Sequence, residues 1–394
     1  MRVLVTDSNN RSALAAARSL ARAGHTVITA GDCRVSLAAA SRHSTAFVRC
    51  PQPSADPDGF CNAIGTAVRT HKVDVLLPMT EVTTLLLAGM RTTLPASCTM
   101  PYASEDAIST ASNKVRVIEL ARELRVPTPA GTTLTSADDI LAVLNQLTYP
   151  VVIKPGRSRV RTATGWIANS VSYAHTDVEL SNKLRNLPPE AYPVLLQERI
   201  RGPGVGLFAC YDRGRPVALF SHKRLREKPP SGGVSVLSES APLNPDAVEY
   251  ASRLLNRLEW HGVAMVEFKQ DDRDGTLKLM EINGRFWGSL QLAIDAGVDF
   301  PAIAVAIAGG AQPEPVTSYP VGIRNRWFLG DLDVLLAVMF RDRRRLNLPA
   351  GFPSRRGLAR DFMRLWGRDL HYEVWDINDP CPGLVELWHW LVRR

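Results

Sequence analysis

The sequence predicts an α/β N-terminal domain built on a parallel sheet, then α+β subdomains, then a mixed, mainly helical C-terminal extension. Three observations carry this expectation. Residues 1 to about 110 alternate short apolar runs with amphipathic stretches, the pattern of parallel strands joined by helices. Between about 111 and 310, strands arrive in pairs around turn residues such as "DRGR" and "DRDG", which read as antiparallel hairpins accompanied by a few helices. Beyond Ala311 the periodicity weakens and Arg, Trp and Pro accumulate.

Size and composition bound what such a chain does. Its 394 residues, 45% apolar and 22% charged, suffice for two or three domains with ordinary cores. Lys and Arg number 47 against 39 Asp and Glu, so the net +8 favours anionic partners such as nucleotides and acidic metabolites. Six cysteines without a C-x-x-C pair indicate neither a zinc site nor a disulfide framework and fit a reducing, cytoplasmic setting. "MRVLVTDSNN" turns polar too early for a signal peptide. No uninterrupted apolar run approaches the roughly 20 residues needed to span a bilayer, "FLGDLDVLLAVMF" being broken by Asp331 and Asp333, so no transmembrane segment is expected.

Taken in order, "RVLVTD", "HTVITAG", "AFVRCP", "VDVLLPM" and "CTMPY" read as strands of residues 1–110, with helices near Arg11 to Ala23, Asp58 to His71 and Glu81 to Met90. The first turn, "TDSNNRSA", lacks G-x-G-x-x-G and does not support a dinucleotide site. In residues 111–200, Ser112 is placed to cap a helix from about Asn113 to Leu124, which "VPTP" stops. Helices near Ser136 to Leu147 and Asp177 to Leu187 accompany the strands "YPVVIKP", "GWIANSVSY" and "PVLLQERI". Residues 201–310 begin with the hairpin "GLFACYDRGRPVALFSHKRL" and the polar loop "REKPPSGGVSVLSES", a candidate lid. A helix near Pro245 to Leu258, the strands "GVAMVEFKQD" and "LKLMEINGRF", and one helix from Ser289 to Gly309 complete that unit; residues 311–394 form the extension.

Strand parity locates the chemistry. Side chains two apart share a face, which groups Leu279, Glu281 and Asn283, and likewise Met265, Glu267 and Lys269. If "DRDG" joins these strands as a hairpin, Glu267 and Glu281 come within one or two rungs of each other, and two adjacent carboxylates repel unless a cation lies between them. Two carboxylates and an amide oxygen suit Mg2+, while Arg285 beyond them is placed to stabilise phosphoryl charge. The alternative is a solvated sheet face ending in an Asn-Gly turn.

Lys154 ends an apolar strand beside a flexible loop, within reach of phosphates. Lys114 occupies a first helical turn, where the helix dipole disfavours a cation unless an anion compensates it. Gln197 and Glu198 end a strand ahead of "RGPG", where backbone groups and Glu198 are placed to read an adenine edge. The order of these elements, a lysine on a helix, a lysine closing a strand, Q-E at a hinge, then E…E-x-N-x-R on paired strands, resembles the ATP-grasp superfamily. The likeness is to its carbamoyl-phosphate synthase and biotin carboxylase-like carboxylate–amine ligases. It spans residues 1 to about 310, and "VAMVEFKQD…LKLMEINGRFWGS" is its most specific piece.

What the resemblance implies is a pre-ATP-grasp domain at 1–110, two ATP-grasp subdomains at 111–200 and 201–310 with ATP between them, and the extension at 311–394. Carried over by position, Lys114 and Lys154 contact phosphates; Gln197, Glu198 and the backbone near Ile200 hold adenine; Glu267, Glu281 and Asn283 bind Mg2+, or Mn2+ in its place. Arg285 and Arg224 face the reacting group. The implied reaction joins a carboxylate to an amine through an acyl phosphate, releasing ADP and phosphate, with small-molecule substrates, no specific nucleic acid and a homodimeric assembly. Two stretches depart from the pattern: Arg157, Arg159 and Arg161 stand in place of a glycine-rich loop, and "RGPGVG" supplies no ribose-binding acid. His222, near the lid, is a candidate for deprotonating the amine, against an ordinary structural role. A kinase on the same scaffold and a non-catalytic nucleotide or anion binder are the competing readings. In the tail, basic residues and Trp at helical spacing suit either packing on the parent domain with arginines outward or peripheral contact with an anionic membrane.

Overall fold

The computed structural model describes residues 1–162, 165–346, 348–349 and 351–392. The N-terminal unit is the expected parallel sheet, with strands Ala46–Arg49, Thr26–Gly31, Arg2–Val5 and Val75–Leu77 side by side in that order. Helix Arg11–Arg22 lies close on the sheet because Ala13, Ala15, Ala16 and Ala17 are all buried in it. Strand order reverses at Arg2–Val5, and such a reversal opens a crevice beyond the carboxyl ends of the strands. Asp7 closes the base of this crevice, accepting from the hydroxyls of Thr6, Thr80 and Thr83 and from the Met79 amide. "CTMPY" makes only single bridges, Thr99 to Val75 and Tyr102 to Gly262, and does not form the expected strand.

The next unit keeps the predicted sheet but redraws several elements. Ser112 ends an unanticipated helix, Glu105–Ala111, by donating to the Ile108 carbonyl. The cap of helix Lys114–Glu123 is instead Asn113, whose side-chain oxygen accepts from the Val115 and Arg116 amides. The helix expected from Ser136 to Leu147 is replaced by 3-10 turns at Ala137–Ala142 and Leu144–Gln146. Only Ile140 is buried there, so no apolar face anchors a longer helix. "GWIANSVSY" divides in two: Ser172–Ala174 joins an antiparallel sheet ordered Gly131–Leu134, Val194–Glu198, Val151–Pro155, Ser172–Ala174, whereas Gly165–Ala168 pairs with Arg159–Thr162 as a separate hairpin. This sheet has its own core around Leu134, Ile153, Leu180 and Leu196.

A larger sheet follows, ordered Leu277–Asn283, Gly262–Gln270, Gly204–Asp212, Arg215–Lys228, Val234–Ser240, Arg324–Arg326, Leu370–Tyr372. Its core, with Phe208, Phe220, Trp260 and Trp287, is continuous with that of the N-terminal unit. The helix expected from Ser289 to Gly309 breaks into Leu290–Asp295 and Phe300–Ala308, because Gly297 adopts φ +87° and Asp299 caps a new start at the Ala302 amide. The extension supplies two strands to this sheet and grips the N-terminal unit: buried Arg18 donates to Asp379 and to the Val374 carbonyl. The arginines of the tail are not all outward. Arg326 is buried and shares Asp331 with Arg226.

Candidate active site

Glu267 and Glu281 are direct cross-strand partners on the paired strands Gly262–Gln270 and Leu277–Asn283. A β-bulge beside this pair opposes Phe268 to Leu279 and leaves Met280 as the extra residue. The expected grouping of Leu279 with Glu281 is therefore corrected: Leu279 turns into the core, and both Met280 and Glu281 lie toward the cleft. Asn283 donates to Glu281 Oε1 at 2.9 Å, and Arg285 donates to Asn283 Oδ1 at 3.4 Å, so the three polar residues form a chain along one edge. Burial raises the pKa of the Glu267 carboxyl; Arg224, ion-paired to it, opposes the rise and Glu281 adds to it. Arg224 also meets Glu227 at 3.1 Å.

The facing wall of the cleft comes from the smaller sheet. Helix Lys114–Glu123 wedges between the sheets, with Val115 and Ile118 on Leu195, and the Lys114 amide donates to the Gly156 carbonyl at 2.7 Å. Lys114 Nζ then lies 2.6 Å from Ser158 Oγ and 3.9 Å from Glu281, which supplies the compensating anion. Lys154 projects from its strand to within 3.9 Å of Met280 Sδ. It is buried, and that burial lowers its pKa from 10.5 to about 8, with Glu281 resisting and Lys114 and Lys269 assisting. The structure thus brings Lys114, Lys154, Glu267, Glu281 and Asn283 to one cleft.

The hinge residues divide differently. Leu195 pairs with Lys154 and Gln197 with Val152, so Gln197 shares the Lys154 face, while Glu198 falls on the other. Gln197 is buried, and neither its side-chain oxygen nor its nitrogen has a partner among the described residues. Glu198 accepts from the Ala130 amide and pairs with Arg273 at 2.8 Å, beside a separate hollow of about 440 Å3. An adenine-reading role for the Glu198 carboxylate is accordingly not what this geometry offers. The Ile200 carbonyl accepts from Lys269 Nζ at 3.5 Å. Lys269 is legible in the sequence by its parity with Glu267, whereas Ser158 and Met280 carry no sequence signal.

Arg285 connects the cleft to a cavity of about 640 Å3 over the carboxyl ends of the parallel strands. Its walls include Asn9, Asn10, Arg11, Asp32 and Glu81 from the N-terminal unit and Arg159 and Val234 from the others. No local motif marks these residues; the strand-order reversal assembles them. Arg159 and Arg161 sit on the hairpin arm rather than in a flexible loop, Arg157 donates to Ser109 at 2.9 Å, and Ala163 and Thr164 of that arm lie outside the described residues. The candidate lid contracts to the turn 229–233, because strands Arg215–Lys228 and Val234–Ser240 absorb the rest. His222 is stacked on Phe208 and bonded to Ser289 at 2.9 Å, and burial pushes its pKa down to about 3, so it is a structural residue.

Comparison with known proteins agrees with this architecture. Residues 190–328 match the family described as ATP-grasp in the biosynthetic pathway with Ter operon. A stretch of 175 residues is 23% identical to the carbamoyl phosphate synthase large chain of Agathobacter rectalis, covering 42% of this chain but only 15% of that one. A biotin carboxylase domain of the 2-oxoglutarate carboxylase from Hydrogenobacter thermophilus, solved with MgADP, ADP and bicarbonate, superposes with TM-score 0.64 at 16% identity over 82% of this chain and 73% of its own. The L-amino acid ligase of Bacillus licheniformis does so with TM-score 0.59 at 17% identity, over 79% and 75%. The motif order, the two-sheet cleft and the family match lead to one conclusion: this chain carries an ATP-grasp domain.

Proposed function

We propose that the protein is an ATP-dependent ligase that joins a carboxylate to an amine through an acyl phosphate, releasing ADP and phosphate. The observation that carries this reading is the convergence of Lys114 and Lys154 from one sheet with Glu267, Glu281 and Asn283 from the other, at a cleft that Arg285 opens into a second cavity. Gln197 supports it, because a buried amide with donor and acceptor both free suits the edge of a base. In this reading Lys114 and Lys154 bind phosphate oxygens, Gln197 and the backbone near Ile200 hold the base, and Arg224 orients Glu267. The donor set of two carboxylates and an amide fits Mg2+, or Mn2+ with the same oxygen preference, which when bound supplies charge neutralisation on the phosphates. Arg285 steadies the carboxylate substrate as one of its oxygens takes the γ-phosphoryl group. The amine approaches from the cavity, its nitrogen bonds to the acyl carbon, phosphate leaves with the C–O bonding pair, and the proton shed by the nitrogen is taken up by the departing phosphate.

The test supplies ATP and Mg2+ with a panel of carboxylates and amines, alone and combined, and measures ADP and free phosphate. Release of both only when acid and amine are present together is the expected result, lost in Lys154→Ala, Glu267→Ala and Glu281→Ala. ADP with a phosphorylated product and no free phosphate identifies a kinase. Near-wild-type turnover in all three folded variants removes the proposed site.

A further inference from the structure

The ligase reading leaves the charge of the extension unused. Residues 339–369 contain nine arginines, three aspartates and neither lysine nor glutamate, a net +6 out of the chain's +8. Two of those aspartates are committed internally, Asp361 to Arg226 and Asp369 to Arg364. Large apolar side chains stand in the same region with no cover. Phe340, the last residue of helix Phe328–Phe340, is 82% exposed, and Met339 beside it is exposed as well. Helix Cys381–Val392 turns Leu384, Trp388, Leu391 and Val392 to solvent, spaced along one helical face.

The two helices present these residues together. Trp327 Nε1 donates to Glu386 at 2.5 Å and Trp390 Nε1 to Asp333 at 3.0 Å, so the helices run side by side in the same sense. Their C-terminal ends, bearing Phe340 and Val392, emerge at the same end of the layer. Exposed arginines frame that end: Arg341, Arg345 and Arg356, with Arg355 tying helix Arg355–Phe362 to the Val338 and Arg341 carbonyls. A second exposed pair, Met363 and Trp366, stands among Arg360, Arg364 and Arg368.

We infer that this face docks on an anionic lipid bilayer, with the apolar side chains entering the interfacial region and the arginines meeting the headgroups. Charge decides between occupants. A two-fold contact with a second copy would set one +6 segment against another, which is repulsive. A nucleic acid would satisfy the arginines but offers nothing to solvate Phe340, Leu391 and Val392. No helix among the described residues is long and apolar enough to cross a membrane, so the attachment is peripheral. The inference stands independently of the ligase reading.

The test is co-sedimentation of the full chain with phosphatidylcholine vesicles, with and without phosphatidylserine, at low and raised salt. Binding is expected only with phosphatidylserine and weakens as salt rises. Each interfacial arginine is worth about fivefold, so a triple Arg341→Gln, Arg345→Gln, Arg356→Gln variant should bind about a hundredfold more weakly. Phe340→Ser with Trp388→Ser should lose at least about tenfold from forfeited apolar insertion. Unchanged thermal melting shows that these surface variants remain folded. Absence of phosphatidylserine-dependent binding overturns the inference. So does binding to duplex DNA that displaces vesicles and ignores Phe340→Ser and Trp388→Ser, or a dimer in sedimentation analysis that Phe340→Ser dissolves.

Discussion

Replacing Lys154 with methionine should make the protein more stable and less able to bind nucleotide. The lysine is buried on the cleft face with its Nζ 3.9 Å from Met280 Sδ, and burial brings its pKa from 10.5 to about 8. Below pH 8 both folded and unfolded chains carry the proton, and the folded state bears a charge that its surroundings disfavour. Between about 8 and 10.5 the unfolded chain holds more protons than the folded one, so stability rises with pH across that window. A difference of roughly 2.5 pH units at 1.36 kcal/mol each corresponds to about 3 kcal/mol of destabilisation at pH 7. Lys154→Met, similar in volume and uncharged, removes that term. Urea unfolding should show a gain of about 3 kcal/mol at pH 7 that shrinks toward pH 10. Nucleotide affinity, followed by calorimetry, should fall by about 10- to 100-fold from loss of one charge-assisted contact to phosphate. A variant no more stable than wild type at pH 7, or a gain that does not diminish with pH, would refute the reasoning about burial. Unchanged nucleotide affinity would refute the assignment of Lys154 to phosphate.

Two further outcomes follow from paired charges elsewhere. Glu267→Gln and Glu281→Gln should each lower turnover by about a hundredfold or more, since several kcal/mol of charge stabilisation is at stake, and each should raise the Mg2+ concentration needed for half-maximal rate; an unaltered Mg2+ titration counts against their role as ligands. Asp331→Asn strands Arg226 and Arg326, both buried and both paired to that carboxylate, and should destabilise the fold by about 3–5 kcal/mol in denaturant titration. A loss under about 1 kcal/mol would mean that Asp361, which retains Arg226, suffices.

The pairing of Glu267 with Glu281 was legible because antiparallel strands joined by a short turn leave few registers open, and the apolar alternation of "VAMVEF" and "LKLMEI" selects among them. Lys114 was legible as an uncompensated cation at a helix start, and its anion proved to be Glu281, distant in sequence but 3.9 Å away in the fold. Cap identity was not legible: Asn113 and Ser112 are equally good cap residues, and the choice went to the one whose backbone is extended at that point. Parity failed where spacing ceased to be two. The bulge at Met280 turned Leu279 inward. At the hinge parity held, and the regular pairing put Gln197 rather than Glu198 on the Lys154 face.

Local spacing and burial periodicity thus determined the alternating N-terminal unit, the paired strands and the residue types able to hold a metal and phosphates, because each depends on neighbours within a few residues or one hairpin. The cavity behind Arg285 belongs to the tertiary structure alone. It exists because the strand order reverses at Arg2–Val5 and because the larger sheet carries Arg285 to the mouth of that crevice, and neither fact is written in any short stretch. The same holds for the extension. Its charge was countable from composition, but only the side-by-side run of helices Phe328–Phe340 and Cys381–Val392 decides that Phe340 and Val392 share an end, since that direction is set by Trp327 meeting Glu386 and Trp390 meeting Asp333 across more than fifty residues of chain.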